Sequence, residues 1–304
     1  MSGTTGWRQA AAVLGACLLP ALAGLAAAPS AAGAQEAVAV ARPIAPDASI
    51  KIWNGGGSVR VVGRDADSLT VAGEVAAVAG GRFFLRAEED VAKLGVEGDQ
   101  AEVRGRLEVG VPRGATVWIR TSSADVTVEG LTGGVDVHTA AGAIEARGRP
   151  ETFYAESMSG DLELRLEADI VRARAGTGGI RFTGSARDLT LDGVDGPLEV
   201  SASGLRRGRF STVKGAIDFT GGVPRAGALS FETHSGDVRL ALPGGVGADV
   251  RLSTLEGRIE VDHPGAPDAD RGTGRRSAEF ELGDGGSEVE VRTFSGSVTV
   301  VGGG

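Results

Sequence analysis

The chain has 304 residues, 50 of them glycine, with 4% aromatics, one cysteine and a formal net charge of -9. An acidic chain offers a phosphate backbone no basic face, which excludes nucleic acid as a partner. The glycines follow no three-residue period and lie among Val, Ile and Leu, which excludes both collagen and a structureless glycine tract.

The N-terminus carries an address. Arg8 precedes an Ala/Leu-rich run from Ala10 to Ala28, and Ala32-Gly33-Ala34 stands just before Gln35. A charged start, an apolar middle and a small-residue end predict a secretory signal peptide over 1–34, cut after Ala34. One alternative is an uncleaved anchor, because the run approaches the roughly 20 residues that span a bilayer. Another is lipidation at Cys17, since Leu14-Gly15-Ala16-Cys17 resembles a lipobox. The expected location is therefore outside the cytoplasm: periplasm, outer surface or secreted, with a lipoprotein as the lesser form. Membrane contact is expected only if Cys17 is lipidated or the signal is retained. After cleavage no cysteine remains, so the mature chain has no disulfide, thiolate nucleophile or thiolate metal ligand.

Residues 35–46 read as a short linker and 47–301 as a single repetitive domain. The repeat unit is a small residue, usually Gly, then any residue, an aliphatic, a polar residue and another apolar one. It occurs ten times, as in Gly57-Ser-Val59-Arg-Val61, Gly160-Asp-Leu162-Glu-Leu164, Gly236-Asp-Val238-Arg-Leu240 and Gly296-Ser-Val298-Thr-Val300. From position 124 to 196 the unit advances in four steps of 18, and then in steps of 19, 21, 21 and 39. A second alternating stretch precedes each unit, as in Val117-Trp-Ile119-Arg-Thr121 and Val289-Glu-Val291-Arg-Thr293. One rung is therefore a strand, a tight Thr/Ser-x-x-Gly corner, a second strand and a variable return. Glycine is expected at the corner for its access to positive φ.

Period-two alternation puts the aliphatics on one face and the charges on the other. A dry face repeated at rung length predicts an all-β, single-domain β-solenoid, a β-helix-like stack of short strands with rungs of about 18–21 residues. A meander of antiparallel hairpins is the competing topology, but nothing would hold it to a constant step. Two segments break the pattern. Residues 62–116 read as a β-rich lead-in cap, and 263–278 as an irregular loop of the kind that often carries function.

Three elements carry a family resemblance. They are the entry Ile50-Lys-Ile52-Trp-Asn-Gly-Gly-Gly57, the echo of Val109-Gly-Val111-Pro112 in Leu240-Ala-Leu242-Pro243, and the corner Thr233-His-Ser-Gly-Asp237. Over residues 47–301 the chain resembles the bacterial putative-adhesin family, adhesin-like β-strand-repeat domains of unknown function. The resemblance implies a β-repeat fold at the cell envelope with an adhesive or scaffolding role, and it brings no catalytic residues.

Candidate chemistry is sparse. Glu145, Glu163, Arg181 and Glu199 occupy the same outward position of four successive units. Glu145 and Glu163 are thus expected about 4.8 Å apart, one strand spacing. Glycoside hydrolysis needs two carboxyl groups across a sugar, yet Arg181 interrupts the line as it would on a solvated, charge-balanced ladder. Trp53, Trp118 and Tyr154 are the main exposed candidates for sugar stacking. His263, Asp268 and Asp270 in the irregular loop are possible cation ligands, but their spacing matches no metal motif. His138 and His234 read as separate solvated corner residues. No cofactor is expected.

The function read from the sequence is a non-enzymatic exported envelope solenoid that adheres, scaffolds or binds, with an envelope protein or glycan as partner. Two alternatives stay open: a polysaccharide-binding or polysaccharide-cleaving β-helix, and a periplasmic partner of a membrane regulator.

Overall fold

In the computed structural model the described residues are 35–76, 81–99, 102–268 and 272–303. The signal peptide, its cleavage after Ala34 and the Cys17 alternative lie outside them. Every regular element among the described residues is a β-strand, 23 in all.

Alternation generates the architecture. In Thr116–Glu129, the residues Val117, Ile119, Thr121, Val126 and Val128 are buried, while Arg120 and Asp125 face solvent. The first half of this strand pairs in parallel with Val135–Thr139 and the second half with Ile144–Gly148. Each rung thus supplies one strand to each of two parallel rows, with the corner between them. Both rows turn their aliphatics inward, and the register keeps like beside like: Val126, Ile144, Leu162, Ile180, Leu198 and Ile217 form one continuous buried ladder. Across the core the packing is aromatic in one place. Phe210 and Phe231 stack at 4.9 Å between ring centroids, and Phe219 from the other row meets Phe231 edge-on at 5.3 Å. Gly208 makes room for this cluster, since a side chain there would press on the Phe210 ring and on Leu229.

The corners are held by side-chain hydroxyls. The N–H groups of Gly142, Gly160, Gly215, Gly236, Gly257 and Gly296 each donate to the buried Thr or Ser oxygen three residues earlier, at 2.8–3.1 Å. These hydroxyls are buried polar groups with partners, which is the condition for burying them at little cost. The expected reason for the glycines is corrected by the structure. Gly57 of the first copy does have the expected positive φ, but none of these six, nor Gly178 or Gly196, does. Each is small because the neighbouring rung's backbone carbonyl lies where its Cβ would be. The glycine column is a rung-stacking requirement rather than a turn requirement.

The rungs do not stack in chain order at either end. The strand Ala228–Thr233 pairs with Glu288–Thr293, which in turn pairs with Ala248–Thr254. In the second row Val238–Pro243 likewise pairs with Val298–Gly303, and that strand with Ile259–Asp262. The last rung of the chain is therefore inserted inside the stack, and the rung at 248–262 is outermost. Its edge is covered by the antiparallel strands Ser277–Leu282 and Gly272–Arg275. The N-terminal end mirrors this arrangement. Ser49–Arg64 lies between Thr116–Glu129 and an outer rung made of Val91–Glu97 and Arg104–Pro112. Arg82–Ala87 and Ser68–Ala76 close that rung antiparallel, and Gln35–Pro43 pairs on the outside of Ser68–Ala76. Capping strands that run against the stack blunt edges that would otherwise template pairing with another chain.

Three expectations change accordingly. Residues 35–46 are not a linker, because 35–43 form a strand of the cap. Residues 62–116 hold a full rung as well as a cap, and Gly105-Arg-Leu107-Glu-Val109 is an eleventh copy of the repeat unit. The segment 263–278 is irregular only in part, since two capping strands begin within it.

Candidate functional site

The second row bears the carboxylate line on its outward face. Register places Glu145 beside Glu163, Glu163 beside Arg181, and Arg181 beside Glu199. Each carboxylate has a guanidinium. Arg181 Nε donates to Glu199 at 2.8 Å, Arg165 pairs with Glu163 two residues away, and Arg147 lies 4.0 Å from Glu145. The Glu199 hydrogen bond raises the pKa of Arg181 further above its ordinary value. All these groups stand on an open face, where a single ion pair contributes little to stability. Similar pairs recur along the molecule. The strongest in geometry is Arg207, whose two nitrogens both donate to Asp188 at 2.7 Å and hold that carboxyl below its usual range.

The first row bears the aromatics. Trp118, Asp136, Tyr154, Arg172 and Thr190 form one outward column. Arg120, His138, Glu156, Arg174 and Asp192 form the column beside it. The Arg120 guanidinium sits 4.7 Å from the centre of the Trp118 ring, and that of Arg172 sits 5.7 Å from the Tyr154 ring. Trp53 meets Trp118 edge-on at 5.4 Å, and Phe84 of the cap lies 6.3 Å beyond Trp53. His138 is not a solitary solvated residue. It is half-buried, with Nε2 2.7 Å from Asp136 and Nδ1 3.3 Å from Glu156. A shallow depression of about 360 Å³ opens between Tyr154, Arg172 and this His138 group.

The first of the loop residues is taken up by the backbone. His263 is 1% exposed; its Nδ1 accepts from the Gly265 N–H at 3.0 Å, and its Nε2 lies 3.1 Å from the Leu242 carbonyl. An accepting Nδ1 leaves the proton on Nε2, so both ring nitrogens are committed to backbone. His263 is a structural staple, not a cation ligand. Asp268 is exposed, and Asp270 lies outside the described residues. Among the described residues no group of three or more His, Cys, Asp or Glu converges in a metal-holding arrangement.

One surface feature was not anticipated. Five large hydrophobics are exposed among the described residues: Met158, Val194, Val213, Leu255 and Phe294. All five occupy the same position, directly after the corner residue, where the strand register lines the rungs up along one edge of the stack, with Gly176 between Met158 and Val194. His234 takes that position between Val213 and Phe294, and its ring stacks on Phe294 at 4.9 Å. The signal was present in the second letter of Thr/Ser-x-x-Gly, but one apolar residue per rung has no period in a short window.

The Toastrack DUF4097 family model matches residues 104–301. Among solved structures the chain is similar to one from Parabacteroides distasonis described as a putative lipid binding protein. It is 10% identical over 88% of this chain and 97% of that one, with a TM-score of 0.52. A putative adhesin from the same organism is 14% identical over 88% and 98%, with a TM-score of 0.50. A putative adhesin from Bacteroides fragilis is 10% identical over 88% and 98%, with a TM-score of 0.41. No curated protein matches the chain. At such identities the likeness shows the fold alone.

Proposed function

The chain belongs to the Toastrack DUF4097 family, and from that premise we propose that it is a non-enzymatic, exported binding module of the cell envelope, adhesive or scaffolding in role. The observation that carries this reading is the pairing along the second row. The one line of carboxylates able to suggest glycoside chemistry is matched by guanidinium groups on a flat, solvated face. Hydrolysis asks for a protonated acid in apolar surroundings and a substrate held between two carboxyl groups. Glu145 and Glu163 instead stand side by side, with side chains 52% and 31% exposed. Export rests on the charged-apolar-small pattern of the first 34 residues. The two Parabacteroides distasonis neighbours are named a putative lipid binding protein and a putative adhesin, which supports a binding role, and the apolar corner edge gives the module a further contact surface.

The test uses purified full-length protein and isolated bacterial envelopes. Saturable co-sedimentation without release of soluble sugar or peptide is the expected result. Release of reducing ends that disappears in Glu163→Gln would overturn the reading, as would the absence of any saturable binding.

A further inference from the structure

The described tryptophans and tyrosine are confined to one patch. Trp53, Trp118 and Tyr154 all project from the outward face of the first row, within four adjacent rungs. The core is filled instead by phenylalanine: Phe153, Phe182, Phe210, Phe219 and Phe231 are fully buried. The aromatics with a polar handle, able to stack and to hydrogen-bond at once, are thus kept off the core and gathered on one surface. Trp118 and Tyr154 belong to one column and stand two strands apart, roughly 9.6 Å by the strand spacing. That is the length scale of a disaccharide repeat in an extended pyranose chain.

The groups around them have a matching character. Arg120, Arg172 and Arg174 face Asp136, Glu156 and Asp192, three cations against three anions, with His138 among them. A patch without net charge gives a polyanion or polycation no electrostatic advantage. Arg174 pairs with Asp192, Asp136 and Glu156 pair with His138, and Arg120 and Arg172 lie against the aromatic rings, so planar groups held in place offer both donors and acceptors to hydroxyl groups. The depression beside Tyr154 adds a concave step where a sugar ring can rest against the aromatic face.

We propose that this shelf, running from Trp118 to Thr190 on the first row, binds a neutral polysaccharide chain. Trp118 and Tyr154 are its stacking platforms, and Asp136, His138, Glu156 and Arg172 are its hydroxyl-binding groups. The inference rests on the binding-module reading above and names the ligand class and site within it.

Native gel electrophoresis through laminarin, hydroxyethylcellulose or glucomannan tests it with the full-length protein, and alginate serves as the anionic comparison. Retardation by at least one neutral polymer is expected. Tyr154→Ala and Trp118→Ala are each expected to weaken it about tenfold, with unchanged unfolding temperatures. Glu260→Ala, on the other row, should bind as the parent does. Ligand should also change the tryptophan fluorescence of the parent more than that of Trp118→Ala. No retardation by any of the three neutral polymers overturns the proposal, as does retardation indifferent to both aromatic substitutions or stronger with alginate. Envelope binding that persists fully in Tyr154→Ala sinks the shelf alone, whereas a parent protein that binds no envelope sinks the module reading beneath it.

Discussion

Gly160→Ala is expected to destabilise the protein by about 3 kcal/mol, although it adds a single methyl group. Gly160 is buried in the corner column, and a Cβ there would overlap the backbone carbonyl of Gly142 in the adjacent rung. A clash with the far end of a flexible side chain is relieved by a rotamer change. A clash with backbone can be relieved only by separating two rungs, which strains the parallel hydrogen bonds on both sides of the corner. Overpacking of this kind typically costs 1–3 kcal/mol and sometimes more. The hydroxyl of Ser157, which receives the Gly160 N–H and donates to the Gly142 carbonyl, would be displaced with it. Chemical denaturation should show the loss, with Gly245→Ala as the control. Gly245 has open space at its Cβ position and no positive φ, so alanine there should be neutral or slightly stabilising. Equal stability of the two variants would mean that the corners are not stacked as described.

Phe231→Ala is expected to cost about 3–5 kcal/mol, the usual range for emptying a buried phenylalanine site. Phe231 is 0% exposed and bridges the two rows through Phe210 and Phe219. The cavity would be hard to fill. The neighbouring backbone is fixed by strand pairing on both sides, and Gly208 has no side chain to move in. Phe294→Ala makes the contrast. That ring is 42% exposed on the corner edge and stacks on His234, so its loss should cost under about 1 kcal/mol. Thermal unfolding of the pair separates a core aromatic from a surface one.

The two faces were legible because strand alternation is a local property. Once 18-residue steps are granted, Glu145, Glu163, Arg181 and Glu199 must share a column, and Trp118 and Tyr154 must share another. The partners within those columns follow from the same arithmetic. What the spacing does not encode is which of several equivalent strands lies beside which. A Gly-x-aliphatic-polar-apolar strand fits against any other, so the insertion of the last rung between two earlier ones leaves only a faint trace in the 39-residue step. The rung at 91–112 was hidden for another reason. It lacks the Thr/Ser-x-x-Gly corner, and its two strands are joined by a longer connection. His263 illustrates the limit for single residues. It looked available because it opens a polar segment, but its ring is claimed by a carbonyl 21 positions away that only the fold brings near. The corner glycines show the reverse case, a correct position with the wrong cause. Positive φ is a local explanation, and the close approach of a neighbouring rung is not.

Every face described depends on the order of the rungs, and one pair of cysteine variants reads that order directly. In a Cys17→Ser background, Ser230→Cys with Glu290→Cys places two thiols at paired positions on adjacent parallel strands, about 4.8 Å apart at the backbone. That lies within the roughly 4.4–6.8 Å that a disulfide spans between Cα atoms. Ser230→Cys with Arg251→Cys joins positions that would be neighbours in a strictly sequential stack, but Glu290 stands between them here. Their separation of about 9.6 Å is beyond reach. Mild oxidation should therefore close the first pair and leave the second reduced, as measured by free-thiol titration. Closure of the second pair with the first left open would mean that the rungs stack in chain order and that the last one is not inserted.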